Sequence, residues 1–293
     1  MLTAVLGVLG ALTAWFTVTF GMDFAQNKDN LEDNTWSKVI GIGFLTNFFD
    51  TLGIGSFAPT TALLKGLKQT KDRVIPGTLN VSCTIPVVME AFIFMKVIEV
   101  ETITLVSMLA AATIGAWIGA GFVSKLPEKK IQMVMGVALL ITAGLMAAGS
   151  LGIMPGGGEA IGLTGGKLIF AIVGNFILGA LMTAGVGLYA PCMALIYFLG
   201  MSPAVAFPIM MGSCAFLMPA ASVKFVKTGA YDRRAALGIT IGGIVGVIIA
   251  AYFVKSLPLN VLKWLVIGVV LYTSITMLKS ASKPAEDSGK MAA

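Results

Sequence analysis

The chain has 293 residues, of which 57% are hydrophobic and only 12% charged, with a mean hydropathy of +0.93. A soluble domain carries roughly 25% charged residues. Several stretches approach or exceed the roughly 20 apolar residues that cross a bilayer, so the composition excludes a soluble globular protein and predicts an all-α polytopic membrane protein. The apolar runs are continuous rather than alternating, which excludes a transmembrane β-barrel. Net charge is +6, but most Lys and Arg lie between or beside apolar runs, where they set topology and meet anionic headgroups. The expected partner is therefore the lipid bilayer, and no nucleic acid. There is no histidine, and the three cysteines, Cys83, Cys192 and Cys214, lie in apolar runs with no CxxC spacing. No metal centre, disulfide framework or cofactor is expected from this set, and the cysteines read as small apolar packing residues.

In chain order, the first helix covers about residues 2–24 (domain 1–25). No Lys or Arg precedes its apolar run, so it lacks the basic start of a secretory signal and reads as a retained transmembrane helix. A polar loop, 26–38, leads into an apolar segment over 39–64. Its second part, NFFDTLGIGSFAPTTALL, carries Asp50, Gly53, Gly55 and Pro59, none of which a continuous transmembrane helix needs. A basic loop follows at 65–73, then apolar segments at 75–95, 103–123 and 131–151. The glycine-rich stretch 150–166 reads as a linker between halves. A second broken segment covers 168–199, followed by apolar segments at 203–225, 235–254 and 260–277 and a polar tail, 281–293, expected to be disordered.

The broken segment is duplicated. Placing Thr51 on Thr183 gives an offset of 183 − 51 = 132, at which Gly53, Gly55, Ala58 and Pro59 fall on Gly185, Gly187, Ala190 and Pro191. Pro76 falls on Pro208 at the same offset, and Gly115, Phe122, Val123, Leu126 and Pro127 match Gly246, Phe253, Val254, Leu257 and Pro258 at 131. The chain therefore divides into repeats at 38–152 and 167–280, with the first helix outside them. Loop charge is reversed between the repeats. The basic loop 65–73 corresponds to the uncharged 199–203, and the acid-containing 96–102 corresponds to the basic 224–234. Since basic loops face the cytoplasm, the repeats are expected to be inverted, with Lys255 and Lys263 in conflict. Inversion needs an odd number of crossings, which follows if each broken segment is a re-entrant helical hairpin followed by three transmembrane helices. The N-terminus is then outside and the C-terminus cytoplasmic; nine crossings with spanning broken segments is the alternative.

Glycine pairs permit turns that other residues resist, and proline fits the first helical turn. Each motif therefore predicts a turn, then a helix beginning at Pro59 or Pro191. A helix start presents free N–H groups and a positive dipole end, and two of them near the midplane would bind a small anion without Lys or Arg. Asp50, an acid inside an apolar run, is the candidate ion-coupling residue. Glu90 is a second, ranked lower because Lys96 near the helix end could pair with it. The candidate substrate ligands are Asn47, Gly53, Gly55, Ser56, Pro59, Thr60, Thr61, Asn80, Gly185, Gly187, Tyr189, Pro191, Cys192 and Ser213, with hydroxyls and amides available to substrate oxygens. Absence of histidine, metal-ligand clusters and nucleophile motifs argues against an enzyme.

The duplicated GxGxxAP, the basic loop with its following proline (65–76) and the repeated FVxxLP turn resemble the sulfite exporter TauE/SafE permease family over residues 38–280. The polar loop 26–38 and the extra polar residues at the first motif depart from its pattern. The resemblance implies a multi-pass transporter of the cell inner membrane for small organosulfur anions such as sulfite, sulfoacetate, thiosulfate or other sulfonates, often an exporter. Together with Asp50 it leads to a secondary transporter coupled to H+ or Na+. An anion channel, or transport of thiosulfate, sulfate or a small carboxylate, is the alternative, and assembly as a homodimer is left open.

Overall fold

The structure is a computed structural model that describes residues 2–94, 99–153, 157–253 and 259–282. Its described residues form eleven α-helices: α1 (Leu2–Gln26), α2 (Trp36–Thr51), α3 (Phe57–Gly66), α4 (Ile75–Phe94), α5 (Thr102–Val123), α6 (Glu128–Ser150), α7 (Gly165–Met182), α8 (Tyr189–Phe198), α9 (Pro203–Thr228), α10 (Arg233–Phe253) and α11 (Leu259–Ser282). Eight of them are long and apolar enough to cross a bilayer. The exceptions are α2, with 16 residues, and α3 and α8, with 10 each. At 1.5 Å per residue a ten-residue helix covers about 15 Å, half a hydrocarbon core. Among the crossing-length helices α4 and α9 are the most enclosed, with 83% of their apolar windows buried against 17% for α1.

Inter-helix contacts fall into pairs that exchange when the two repeats are exchanged. α2 packs on α10 as α7 packs on α5, α4 on α10 as α9 on α5, and α3 on α11 as α8 on α6, while α4 meets its counterpart α9 and α6 meets α11. Two clusters result, each mixing the repeats: α2, α4 and α10 in one, and α5, α7 and α9 in the other, with α6 and α11 packed mainly on each other. Glycines set the closest approaches. A Cβ on Gly242 of α10 would lie 2.0 Å from the Ile40 carbonyl oxygen of α2, and one on Gly115 of α5 would lie 2.1 Å from that of Phe176 on α7. Without a hydrophobic drive between helices in lipid, such small-residue contact is what lets backbones pack.

Chain direction follows from the cross-links. Gly77 of α4 abuts Ala230, and Thr84 bonds Ser222 at 3.0 Å, so numbers rise along α4 as they fall along α9. By contrast α4 and α10 run together, because Thr78 accepts from the Asp232 N–H and Thr240 donates to the Ser82 carbonyl.

The ends of each short-helix pair are tied together. Asn34 and Thr35, just before α2, bond the carbonyl and side-chain oxygen of Gln69, just after α3. Likewise the Ser202 N–H donates to the Ala160 carbonyl, and Lys167 at the start of α7 reaches the Leu199 carbonyl at the end of α8. An acidic cap from the other repeat clamps each of these roots. Asp232 caps α10 through the Ala235 N–H and also accepts from Asn34 and Thr70. Glu101 caps α5 through the Ile103 and Thr104 N–H groups, and its own N–H donates to the Ile161 carbonyl. The two caps are 232 − 101 = 131 residues apart, the repeat offset. Their carboxyls are tuned in opposite directions: the Thr104 hydroxyl and N–H hold Glu101 below the usual carboxylate range, and burial pushes Asp232 above it.

Several expectations need correction or lie out of reach. The stretch 157–164 is docked rather than a free linker, since a Cβ on Gly158 would meet the Gly200 carbonyl at 2.2 Å and one on Gly162 the Glu101 side chain at 2.3 Å. The short helices begin at Phe57 and Tyr189, two residues before the prolines. The first turn has no intrahelical N–H bonds to lose, so proline is tolerated at its third position. The first α-type bonds are Thr60 N–H to the Ser56 carbonyl and Cys192 N–H to the Leu188 carbonyl, each one residue past the proline. Lys96, residues 254–258 including Lys255, and the tail from 283 lie outside the described residues.

Gly242→Ala or Gly115→Ala should each destabilise the fold by about 1–3 kcal/mol through overpacking. Gly144→Ala, where a Cβ meets nothing within 4 Å, should not. Thermal unfolding of the purified protein in one detergent compares the three.

Candidate functional site

α3 and α8 begin face to face. A Cβ on Gly55 would lie 4.0 Å from the Tyr189 ring and one on Gly187 would lie 3.9 Å from Phe57, so the turns before the two helices touch. Gly53 (φ +87°), Gly55 (+89°) and Gly185 (+93°) adopt left-handed backbone, whereas Gly187 does not. The two turns therefore share a reversal at Gly53 and Gly185 and differ two residues later.

Between the turns lies a cavity of about 40 Å³, more than the ~10–15 Å³ that one water molecule needs. Phe57 and Ala58 line it from α3, and Tyr189 and Ala190 from α8. These residues carry the first-turn N–H groups that no helix bond satisfies. Each proline removes the third such donor, so every remaining free donor of the two starts sits on a lining residue. Thr142 of α6 adds a hydroxyl with no hydrogen-bond partner on a residue only 5% exposed. Met146, Met182, Val87 and Cys214 complete much of the apolar wall.

Two carboxyl groups stand beside it. Asp50 lines the cavity, is 2% exposed and accepts from the Ser56 hydroxyl at 2.7 Å. Glu90 of α4 is fully buried, within 2.8 Å of the Thr51 hydroxyl and accepting from Tyr189 at 3.3 Å. Tyr189 thus links the second short-helix pair to an acid of the first repeat. Among the described residues neither carboxyl has a Lys or Arg partner; the ion pairs are Lys65–Asp72 and Arg233 with Asp23 and Glu32. No cluster of His, Cys, Asp and Glu able to hold a metal ion occurs among the described residues.

The structure brings together part of the expected set. Asp50, Gly55, Ser56, Gly187 and Tyr189 line the cavity, and Glu90 stands directly behind it. Gly53 lies against Phe207, Gly185 against Met135 and Leu79, and Asn47 against Gly243. Asn80 bonds the Pro76 carbonyl and lies 3.5 Å from that of Met182. Ser213 and Cys192 both contact Asn175. Pro59, Thr60 and Thr61 lie inside α3 beyond the cavity lining, and Pro191 inside α8. Thr142 and Cys214 are lining residues that no motif marks.

A larger open vestibule of about 1200 Å³ lies at the root of the α2–α3 pair, lined by Ala62, Lys65, Lys68, Asp72, Arg73 and Thr273 among others. Ala62 is one helical turn along α3 from Ala58 in the cavity wall. One turn of α3 is all that separates vestibule from cavity along that helix.

Residues 1–146 and 168–292 match the family described as Sulfite exporter TauE/SafE. The chain belongs to the sulfite exporter TauE/SafE family. No curated protein and no solved structure matched the chain. The stretch left out of the family match, 147–167, covers the glycine-rich connection, so both TauE/SafE halves and their facing helix starts fall inside it. TauE/SafE proteins are membrane transporters for sulfite-type anions rather than enzymes, and the eight crossing-length helices agree with a multi-pass membrane protein.

Gly185→Ala should destabilise this TauE/SafE transporter by about 1–2 kcal/mol, because its φ is +93°, with an added clash at Met135 Cε, 2.7 Å from the new Cβ. Gly187→Ala, free of both, should fold as the wild type does. Circular dichroism melts of the two variants decide it.

Proposed function

We propose that this chain is a secondary transporter of a small sulfur oxyanion, such as sulfite or an organosulfonate, in the cytoplasmic membrane. It binds the anion between the starts of α3 and α8 and couples its movement to an ion gradient, export being the direction the family name favours. One observation carries the reading: the residues that bear the free first-turn N–H groups of two helices line one cavity together with Thr142, whose hydroxyl has no partner. Helix starts favour anions through their free N–H groups and dipoles, and such a site selects small oxyanions by size and hydrogen bonding.

The reading includes inverted repeats with re-entrant hairpins. Three facts support it. The equivalent helices α4 and α9 lie antiparallel. Each short-helix pair returns to its own root. The roots are at opposite ends: that of α2–α3 meets the α9–α10 loop, and that of α7–α8 meets the start of α5. On this reading α7, although of crossing length, turns back, leaving seven crossings. Lys65, Lys68, Lys71, Arg73, Arg233 and Arg234 gather at the first root, which makes that end cytoplasmic by the positive-inside tendency, with the N-terminus outside.

Two measurements test the proposal. In a thermal-shift series with sulfite, thiosulfate, sulfoacetate, sulfate and carboxylates, at least one sulfur oxyanion should stabilise the protein. Thr142→Val should weaken that anion several-fold, as the loss of one hydrogen bond of about 0.5–1.5 kcal/mol implies; if no anion stabilises the protein, the reading fails. For topology, Lys71→Cys and Glu159→Cys report the two roots against native cysteines that are all buried. An impermeant maleimide applied to intact cells should label only Glu159→Cys; labelling of both from one side excludes inverted hairpins.

A further inference from the structure

Resting on the anion-site reading above, we propose that the cavity takes its anion only together with a proton held on Asp50, so that anion and proton are carried in the same direction. The anion's position is set by the free N–H groups and by Thr142. Asp50 lines the same 40 Å³ space. An oxyanion placed there next to an ionised carboxylate would put two negative charges within a few ångströms beside a buried side chain, where like charges at short range strongly disfavour joint ionisation.

Among the described residues no Lys or Arg relieves this. The titratable groups facing Asp50 are Glu90 and Cys83 of α4, Tyr189 of α8 and Cys214 of α9, with Cys192 beside Cys214. All of these are neutral or negative. Among the described residues α3, α6 and α10 bring no titratable side chain to the cavity wall.

Hydrogen-bond counting gives a second line that a carboxyl here holds a proton. The Thr51 hydroxyl lies 2.9 Å from the Asn47 carbonyl and 2.8 Å from Glu90 Oε1. A hydroxyl has one proton to give, and here it has two acceptors in reach. Both contacts are satisfied when Thr51 donates to Asn47 and Glu90, carrying a proton, donates to Thr51. Glu90 is then neutral, and Asp50 is the acid left to change state when the anion arrives.

The arrangement also separates a proton from a metal cation. Ser56 and Tyr189 point their hydroxyls at carboxylate oxygens, which leaves their protons, rather than lone pairs, turned to where a cation would sit. The repeat's second copy has Met182 in place of Asp50 and Leu188 in place of Ser56, so no matching oxygens come from the facing turn. Coupling of this kind is reciprocal: a proton that strengthens anion binding is itself bound more tightly when the anion is present. Net direction then follows the sum of the anion and proton gradients.

The test uses the full chain in nanodiscs with thiosulfate and sulfoacetate, whose charge stays constant across the range. From about pH 8 to about pH 6 the affinity should rise by about tenfold per pH unit while Asp50 is ionised in the empty site. Calorimetry in two buffers of different ionisation enthalpy should count about one proton taken up per anion. Asp50→Asn should bind with an affinity that no longer depends on pH, and if that variant fails to fold the wild-type proton count still decides. Wild-type binding that ignores pH, releases protons or follows sodium at constant pH overturns the proton while leaving the anion site intact. Failure of both anions to bind at every pH removes the site and this inference with it.

Discussion

A helix that starts inside a membrane protein exposes N–H groups that neither its own turn nor lipid can satisfy. Two helices of this chain start in that way, and they start against each other. Unpaired backbone at that depth is tolerated only where it lines a cavity or is buried in protein, and the rest of the structure follows from meeting this condition. The left-handed glycines reverse the chain. The prolines sit at third positions, where they remove a donor that would otherwise be unsatisfied. The tied roots and their acidic caps fix how far each turn reaches, and the enclosed helices α4 and α9 bury both turns between them.

The same backbone device carries different side chains in its two copies. Around α3 the start is occupied by polar groups of the chain itself, Ser56 and Asp50, whereas α8 begins behind Leu188 with Met182 in the acid's place. A similar backbone, alike at Gly53 and Gly185 and different at Gly55 and Gly187, thus lines an asymmetric site. The α8 start is the one with no carboxyl of its own; on the proposed reading the α3 start would help hold an anion only when Asp50 is neutral. Tyr189 joins the two, since it belongs to α8 and donates to Glu90 on α4.

Much of this was legible in the sequence because backbone requirements leave strong marks. The duplicated GxGxxAP located both turns, continuous apolar runs located the long helices to within a few residues, and family resemblance anticipated the TauE/SafE match. Side-chain aim left weaker marks. Thr60 and Thr61 follow the motif directly, yet a helix turns through a full circle every 3.6 residues, so neighbours in sequence point away from the cavity. Thr142 stands alone in an apolar run on a helix without a motif, and only the packing of α6 against α8 makes it a lining residue. In the sequence Glu90 ranks below Asp50 because Lys96 near the helix end could pair with it; the partners it has in the structure, Thr51 and Tyr189, are 39 and 99 residues away. The glycines of 157–164 looked like linker composition but serve close docking, a distinction that composition does not encode.

The exchange of helices between repeats has a mechanical consequence. Each cluster is locked internally by glycine-mediated backbone contact, α2 to α10 in one and α5 to α7 in the other, and such contacts do not slide without loss of packing. The two clusters meet along α4 and α9, where the Gly77–Ala230 approach and the Thr84–Ser222 bond lie, and at the touching turns, the cavity and the Tyr189–Glu90 bond. The cavity lies at this seam, and the vestibule reaches within one turn of α3 of it from one end. Both acids, Asp50 on α2 and Glu90 on α4, belong to one cluster, while α8 packs on α9 of the other. On the proposed reading, an anion held between the helix starts would join the two clusters, and the charge state of Asp50 would set whether it can bind there.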